Sequence, residues 1–184
     1  ADIERLYEKA EKYLQKQKLE SALEDYHEIH RYQPNEEDVL LNLGDLCLKL
    51  NRIAEGVRYQ SQLIELYLKR NDSTKAVATC RKVLKVAPQD VNALMKLATL
   101  QEKARKNVEA LEAYREALNL HRQAGTTSQV IECLQGIIRL DPTGVDAHIA
   151  LGEEGVKARQ PKVAIPAFLK AAELLRETGQ EDRW

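Results

Sequence analysis

The chain repeats itself at a spacing of 54 residues, and a period of that size leaves few folds open. Pro34, Pro88 and Pro142 stand 54 apart, closing Ile-His-Arg-Tyr-Gln-Pro, Leu-Lys-Val-Ala-Pro and Ile-Arg-Leu-Asp-Pro. Laid on one another, the copies match along their length: Leu40 on Leu94, Leu43 on Leu97, Gly44 on Ala98, Lys49 on Lys103, Leu66 on Leu120 and Asn71 on Gly125. A third copy starts at Thr143 and places Leu151, Gly152, Lys157, Leu174 and Gly179 in the same columns. Repeats of this length are modules too small to bury an apolar face alone, so they stack on their neighbours. Such arrays present long surfaces, and surfaces bind.

The copies are helical. Apolar residues recur at spacings of three and four, and no stretch alternates as a half-buried strand would. Only 5% of the 184 residues are aromatic and 8 are Gly. Breakers predict about ten helices, near 2–16, 19–33, 36–50, 53–70, 73–87, 90–104, 107–124, 127–141, 144–158 and 161–177. Asp72, Ser73 and Thr126 are expected N-caps, and Gly125 and Gly179 are expected to turn left-handed after a helix end. Separators this short predict antiparallel neighbours.

Several function classes are excluded at this point. With 28 Lys+Arg against 29 Asp+Glu the net charge is -1, so there is no basic footprint for nucleic acid. Seven tyrosines fall on helix core and rim columns without a basic stripe, which argues against base stacking. No apolar run of membrane-spanning length occurs, and Ala1 to Glu20 is charged throughout, unlike a signal peptide. Cys47, Cys80 and Cys133 are odd in number and form no CxxC pair, which suits a reducing, cytoplasmic setting; Cys47 and Cys80 occupy core columns.

The residues also carry a resemblance. Leu40-x-x-Leu43-Gly44-x-x-Cys47, Leu94-x-x-Leu97-Ala98 and His148-x-x-Leu151-Gly152-x-x-Gly155 fill a first helix. A small residue followed four later by a large one marks the next: Ala22/Tyr26, Ala76/Cys80, Ala110/Tyr114 and Ala164/Phe168, with Val130/Leu134 weaker. This resembles the tetratricopeptide (TPR) repeat over essentially the whole chain. The resemblance implies an all-α, right-handed solenoid of about ten antiparallel helices that binds proteins or peptides without catalysis. The departure is in the spacing. The small-residue column falls at Ala22, Gly56, Ala76, Ala110, Val130 and Ala164, in steps of 34, 20, 34, 20 and 34, so each unit reads as a standard repeat plus one helix. The long segments 53–70 and 107–124 then read as the second helix of one repeat fused to the first of the next. The expected units are 1–34 (partial), 35–88, 89–142 and 143–184 (partial), a piece of a longer array.

Catalytic chemistry finds no support. The sequence contains no Gly-rich phosphate loop, HExxH, GxSxG or DxDxDG segment. His27 and His30 lie three apart on one helix but lack further ligands in sequence, and His121 and His148 read as packing variants. No metal, cofactor or catalytic residue is expected. In TPR proteins the first helix of each hairpin lines a concave groove. The matching positions are Asp38, Leu41, Asn42, Asp45, Leu48 and Lys49, then Asn92, Met95, Lys96, Thr99, Glu102 and Lys103, then Asp146, Ile149, Ala150, Glu153, Val156 and Lys157. The chaperone-tail clamp of some family members is incomplete: Asn42 matches, but the earlier positions hold Tyr7 and Glu11.

The reading is therefore a peptide-binding scaffold; the other reading is a structural spacer or self-association module. For the latter, helix 161–177 is apolar nearly all round, and Phe168, Leu169, Leu174 and Leu175 are the expected pairing surface of a homodimer. Continuing the register puts Trp184 in the small-residue column, so 180–184 is not expected to form the next helix.

Overall fold

Ten α-helices make up the described residues, 3–179, of the computed structural model: α1 (Ile3–Gln15), α2 (Leu19–Tyr32), α3 (Glu37–Lys49), α4 (Ile53–Lys69), α5 (Ser73–Val86), α6 (Val91–Lys103), α7 (Asn107–Ala124), α8 (Thr127–Leu140), α9 (Val145–Lys157) and α10 (Pro161–Glu177). Every expected span encloses its helix with at most one residue to spare at either end. The expectation for 180–184 lies outside the described residues. The helices gather into two compact units, one ending at Ala93 and the other beginning at Leu94, so the division falls within α6. In the first unit α1 packs on α2, α2 on α3, α3 on α4 and α4 on α5. In the second, α7 packs on α8, α8 on α9 and α9 on α10.

Two kinds of turn join the helices, and each has a backbone cause. Gln17, Asn51, Asn71, Arg105, Gly125, Arg159 and Gly179 have φ between 55° and 69°, in steps of 34 and 20 residues alternately. Each lies five residues before the next small-residue position. After six of them the following N–H donates five residues back: Lys18 to Tyr13, Arg52 to Cys47, Asp72 to Tyr67, Lys106 to Gln101, Thr126 to His121 and Gln160 to Gly155, at 2.8–3.1 Å. That bond closes the preceding helix and reverses the chain. Only two of the seven are Gly; Gln17, Arg105 and Arg159 hold a conformation that side chains disfavour. The second turn precedes proline. Gln33, Ala87 and Asp141 sit at φ −131°, −133° and −134°, because the proline ring bars its predecessor from helical geometry.

The caps differ in part from expectation. Asp72 caps α5, its Oδ1 accepting from Lys75 N at 3.0 Å, which makes Ser73 the first helical residue instead of the cap. Thr126 stands at the N-cap of α8 but its side chain makes no cap bond. Its hydroxyl is drawn to the end of α7, donating to His121 O at 3.2 Å and pairing with His121 Nδ1 at 2.8 Å.

The small-residue column is the core. Ala22, Ala76 and Ala110 are fully buried, and Gly56, Val130 and Ala164 are buried too. Close approach is needed there: a Cβ on Gly155 would lie 2.8 Å from Ala164 N. A Cβ on Gly44 would meet the Gln60 amide at 2.4 Å, and one on Gly152 would meet the Phe168 ring at 2.5 Å. The second-helix side chain four residues after the small one thus fills the notch that the first-helix Gly leaves. Cys47, Cys80 and Cys133 are buried and unbridged, and His148 is buried with Nε2 3.0 Å from Pro142 O.

Candidate binding groove

The helices that follow the proline turns carry the expected binding positions, and none of the thirteen polar or sulfur-bearing candidates is buried. Asp38, Lys49, Asn92, Lys103, Asp146, Glu153 and Lys157 are exposed; Asn42, Asp45, Met95, Lys96, Thr99 and Glu102 are half-buried. They differ in how free their polar atoms are. On α3, Asn42 Nδ2 donates to Asp38 O at 2.8 Å, one turn back on its own helix. Asp45 is engaged from two sides: Gln60 Nε2 on α4 donates to Oδ1 at 3.0 Å, and Lys82 of α5 pairs with the same oxygen. The α5 helix therefore reaches the face of α3 at this position. On α6, Thr99 turns its hydroxyl to Met95 O and Lys96 O, and Met95 Sδ lies 3.4 Å from Cys133 Sγ.

Glu153 and Lys157 are the two candidates brought together in a groove. About 600 Å³ of space opens between the α7–α8 turn and α9, lined by Arg122, Gly125, Thr127, Val130, Glu153, Glu154 and Lys157. Lys157 Nζ donates to the buried Glu154 carboxylate at 2.8 Å. The lining thus holds two cations, two carboxylates and the apolar Val130. Such a surface can take hydrogen bonds from a peptide backbone and match charged side chains along it.

Two carboxylate networks went unseen in the sequence. Glu37 accepts from Tyr67 Oη at 3.0 Å, Arg70 Nη1 at 2.8 Å and Lys75 Nζ at 2.7 Å, tying the start of α3 to the α4–α5 turn. Lys75 above all holds the Glu37 carboxyl below its ordinary range. Burial, then the Glu37 carboxylate, pushes the Tyr67 phenol up to about 12. In the second unit, Glu102 accepts from Arg139 Nε at 2.7 Å and Nη2 at 3.1 Å, and from Tyr114 Oη at 2.7 Å. Arg139 depresses the Glu102 carboxyl, and burial raises the Tyr114 phenol. The two glutamates occupy different columns of the repeat; Glu102 stands in an expected groove column and Glu37 in none, and the register foretold the partners of neither.

The expected pairing surface on α10 needs correction. Leu174 and Leu175 are 6% and 1% exposed, turned inward where α10 packs on α9. Leu169 is 67% exposed, and its apolar neighbours at the surface are Ile165 and Val156. Beside them an apolar hollow of about 380 Å³ is lined by Gly155, Pro161, Ala164 and Phe168 among others. Among the described residues no helix is long and apolar enough to cross a membrane.

No curated protein matches the chain in sequence. Among solved structures, MamA (residues 41 to the end) from Desulfovibrio magneticus RS-1 is 20% identical with a TM-score of 0.35, covering 96% of this chain and 97% of its own. The TPR2B domain of yeast Sti1, solved in complex with pHsp70, is also 20% identical with a TM-score of 0.35, covering 76% and 96%. Two family models described as tetratricopeptide repeat match residues 37–70 and 61–128, overlapping on the second half of α4. Together they span 37–128, half of the chain, and the all-α helical hairpins just described are the architecture they specify: the chain belongs to the tetratricopeptide repeat family.

Proposed function

We propose that the chain is a non-catalytic protein-interaction scaffold that holds an extended peptide of mixed charge in the groove between the α7–α8 turn and α9. The groove itself carries the reading. Arg122 and Lys157 stand beside Glu153 and Glu154 over an apolar floor, in about 600 Å³ open to solvent. Membership of a family whose repeats generally serve as interaction scaffolds supports it. The exposed candidates on the other proline-turn helices, Asp38, Lys49, Asn92 and Lys103, offer polar groups of the same kind.

Selection of binders from a displayed peptide library tests this. Peptides enriched by the wild-type chain should lose binding to an Arg122→Glu, Lys157→Glu variant, while an exposed substitution on α7, Glu116→Lys, leaves them bound. Glu116→Lys and Arg122→Glu should alter stability by less than about 0.5 kcal/mol; Lys157→Glu also removes the partner of the buried Glu154, so circular dichroism must first show both variants folded. Equal binding by all three proteins would place the interaction elsewhere.

A second reading, self-association, is favoured by the exposure of Leu169, Ile165 and Val156 beside an apolar hollow. Light scattering over a dilution series separates the two: Leu169→Glu should abolish any dimer that the wild type forms.

A further inference from the structure

One donor atom each of His27, Cys47 and Glu55 lie within 4.8 Å of one another. The three residues come from α2, α3 and α4, successive helices of the first unit, so the fold and not local sequence assembles them. We propose that they form a metal site of the zinc type, with one nitrogen, one sulfur and one oxygen ligand and a fourth position left for water. This is distinct from the groove on α9 and does not depend on it.

The surroundings are those of a ligand set. His27 Nε2 is shielded from water and makes no hydrogen bond, although Glu55 Oε1 lies only 3.2 Å away. Buried polar atoms are almost always satisfied, so an orphaned imidazole nitrogen aimed at a carboxylate oxygen calls for a partner between them. The second carboxylate oxygen is already held, with Arg52 Nη2 2.5 Å from Glu55 Oε2. That contact fixes the carboxylate and leaves Oε1 for the site, as outer partners do for bound carboxylates. The His27 ring packs edge-on against Tyr59 with centroids 5.9 Å apart, which restricts its rotation.

The donor types select the metal. A thiolate with an imidazole and a carboxylate suits zinc and its borderline neighbours and not the oxygen-seeking magnesium or calcium. Charge points the same way. A thiolate and a carboxylate together neutralise a divalent ion, giving a neutral cluster beside Arg52, Arg58 and His30, the cationic or titratable groups around His27. Binding replaces the Cys47 S–H proton, which passes to solvent, by a sulfur–metal bond, so affinity should rise with pH. A groove of about 400 Å³, lined by His27 and Arg52 among others, opens beside the site on its α2 side.

The competing account is an ordinary His27–Glu55 ion pair beside an inert core thiol, and cobalt(II) separates the two. Titrated into the reduced full chain, cobalt should form a 1:1 complex with tetrahedral visible bands and a thiolate charge-transfer band, and zinc should displace it. Cys47→Ser should remove the charge-transfer band, and His27→Gln and Glu55→Gln should each weaken cobalt and zinc binding by at least about tenfold. His30→Gln should leave binding within about twofold. If Cys47→Ser does not fold by circular dichroism, the half-exposed His27→Gln decides. Absence of a complex at millimolar cobalt overturns the proposal. So does a charge-transfer band that survives in a folded Cys47→Ser protein, or affinity unchanged in both His27→Gln and Glu55→Gln.

Discussion

Gly136→Ala should destabilise the second unit although alanine is the better helix former. Gly136 lies in the interior of α8, where the exchange by itself favours folding by about 1 kcal/mol. The added Cβ, however, would lie 2.6 Å from Tyr114 Cζ, 2.7 Å from Cε1 and 2.9 Å from Cδ1. The ring cannot simply withdraw. It is 1% exposed, and its hydroxyl donates to Glu102 Oε2 at 2.7 Å and accepts from Arg139 Nη2 at 3.2 Å. Overpacking a filled core costs about 1–3 kcal/mol, and a hydrogen bond to a charged group that is stretched or lost adds about 1.5–3 kcal/mol. Set against the helix gain, the net loss should be about 2–4 kcal/mol. Urea denaturation followed by circular dichroism measures it. The same substitution in a Tyr114→Ala background separates clash from propensity, since the vacated ring volume accepts the methyl. There Gly136→Ala should become neutral or stabilising, a coupling of more than about 2 kcal/mol, within the range found for residues in contact. Equal effects in the two backgrounds, or a stabilised single variant, would refute the close contact between α7 and α8.

Acid should weaken the second unit through Glu102. Its folded-state pKa lies below the ordinary 4.5 because Arg139 holds the carboxylate, so the stabilisation is full above that value and fades as pH falls through the folded pKa; Glu102→Gln should flatten the urea-midpoint dependence below about pH 4.5. Alkali acts on Tyr67 with the opposite sign. A phenol raised from 10.0 to about 12 contributes stability that is complete below 10 and lost as pH rises through 12, so Tyr67→Phe should remove one late-ionising group from the tyrosinate absorbance titration. Asp72→Ala should cost about 1 kcal/mol through loss of the α5 cap, while Asp72→Asn, which can still accept from Lys75 N, should recover most of it in thermal melts.

Much of the fold was legible because local and repeated signals agreed. Helix limits followed from turn residues and three-four periodicity, and the small-residue column marked the close contacts in the sequence itself. The left-handed turns were legible only where Gly occupied them. At Gln17, Arg105 and Arg159 the repeat dictates the conformation and the side chain tolerates it, so composition carried no sign. What failed was long-range. Thr126 looked like a cap until His121, five residues back, claimed its hydroxyl. Leu174 and Leu175 looked like surface because the face that α10 presents to α9 depends on the turn between them. Cys47 lies 20 residues after His27 and 8 before Glu55, a spacing that no metal motif shares, so the cluster became visible only once three helices were in place.

The repeat also shows how one position can change its chemistry without changing the fold. The column holding Gln60, Tyr114 and Phe168 fills the notch over Gly44 in the first copy and over Gly152 in the third, while Tyr114 lies against Gly136, and its polar end is solved differently in each copy. Gln60 donates to Asp45, which Lys82 also pairs. One period later Tyr114 replaces Gln60, Thr99 replaces Asp45, and Gly136 stands where Lys82 stood. The larger ring needs the space that a side chain at 136 would take, as the 2.6 Å approach shows, and its hydroxyl turns to Glu102 and Arg139 instead. In the third copy Phe168 has no hydroxyl to satisfy. The apolar packing is thus fixed by the backbone geometry of the hairpin, while the charged partners are exchanged as a set. Moving one member alone, as in Gly136→Lys with Tyr114 retained, would leave a buried cation facing an aromatic edge and should be the more damaging change. Moving the whole set, as Ala98→Gly, Thr99→Asp, Tyr114→Gln and Gly136→Lys, should bring the urea midpoint back above that of Gly136→Lys alone, because the Gln then has the Cβ-free notch that Gln60 has over Gly44 and meets the partners it meets in the first unit.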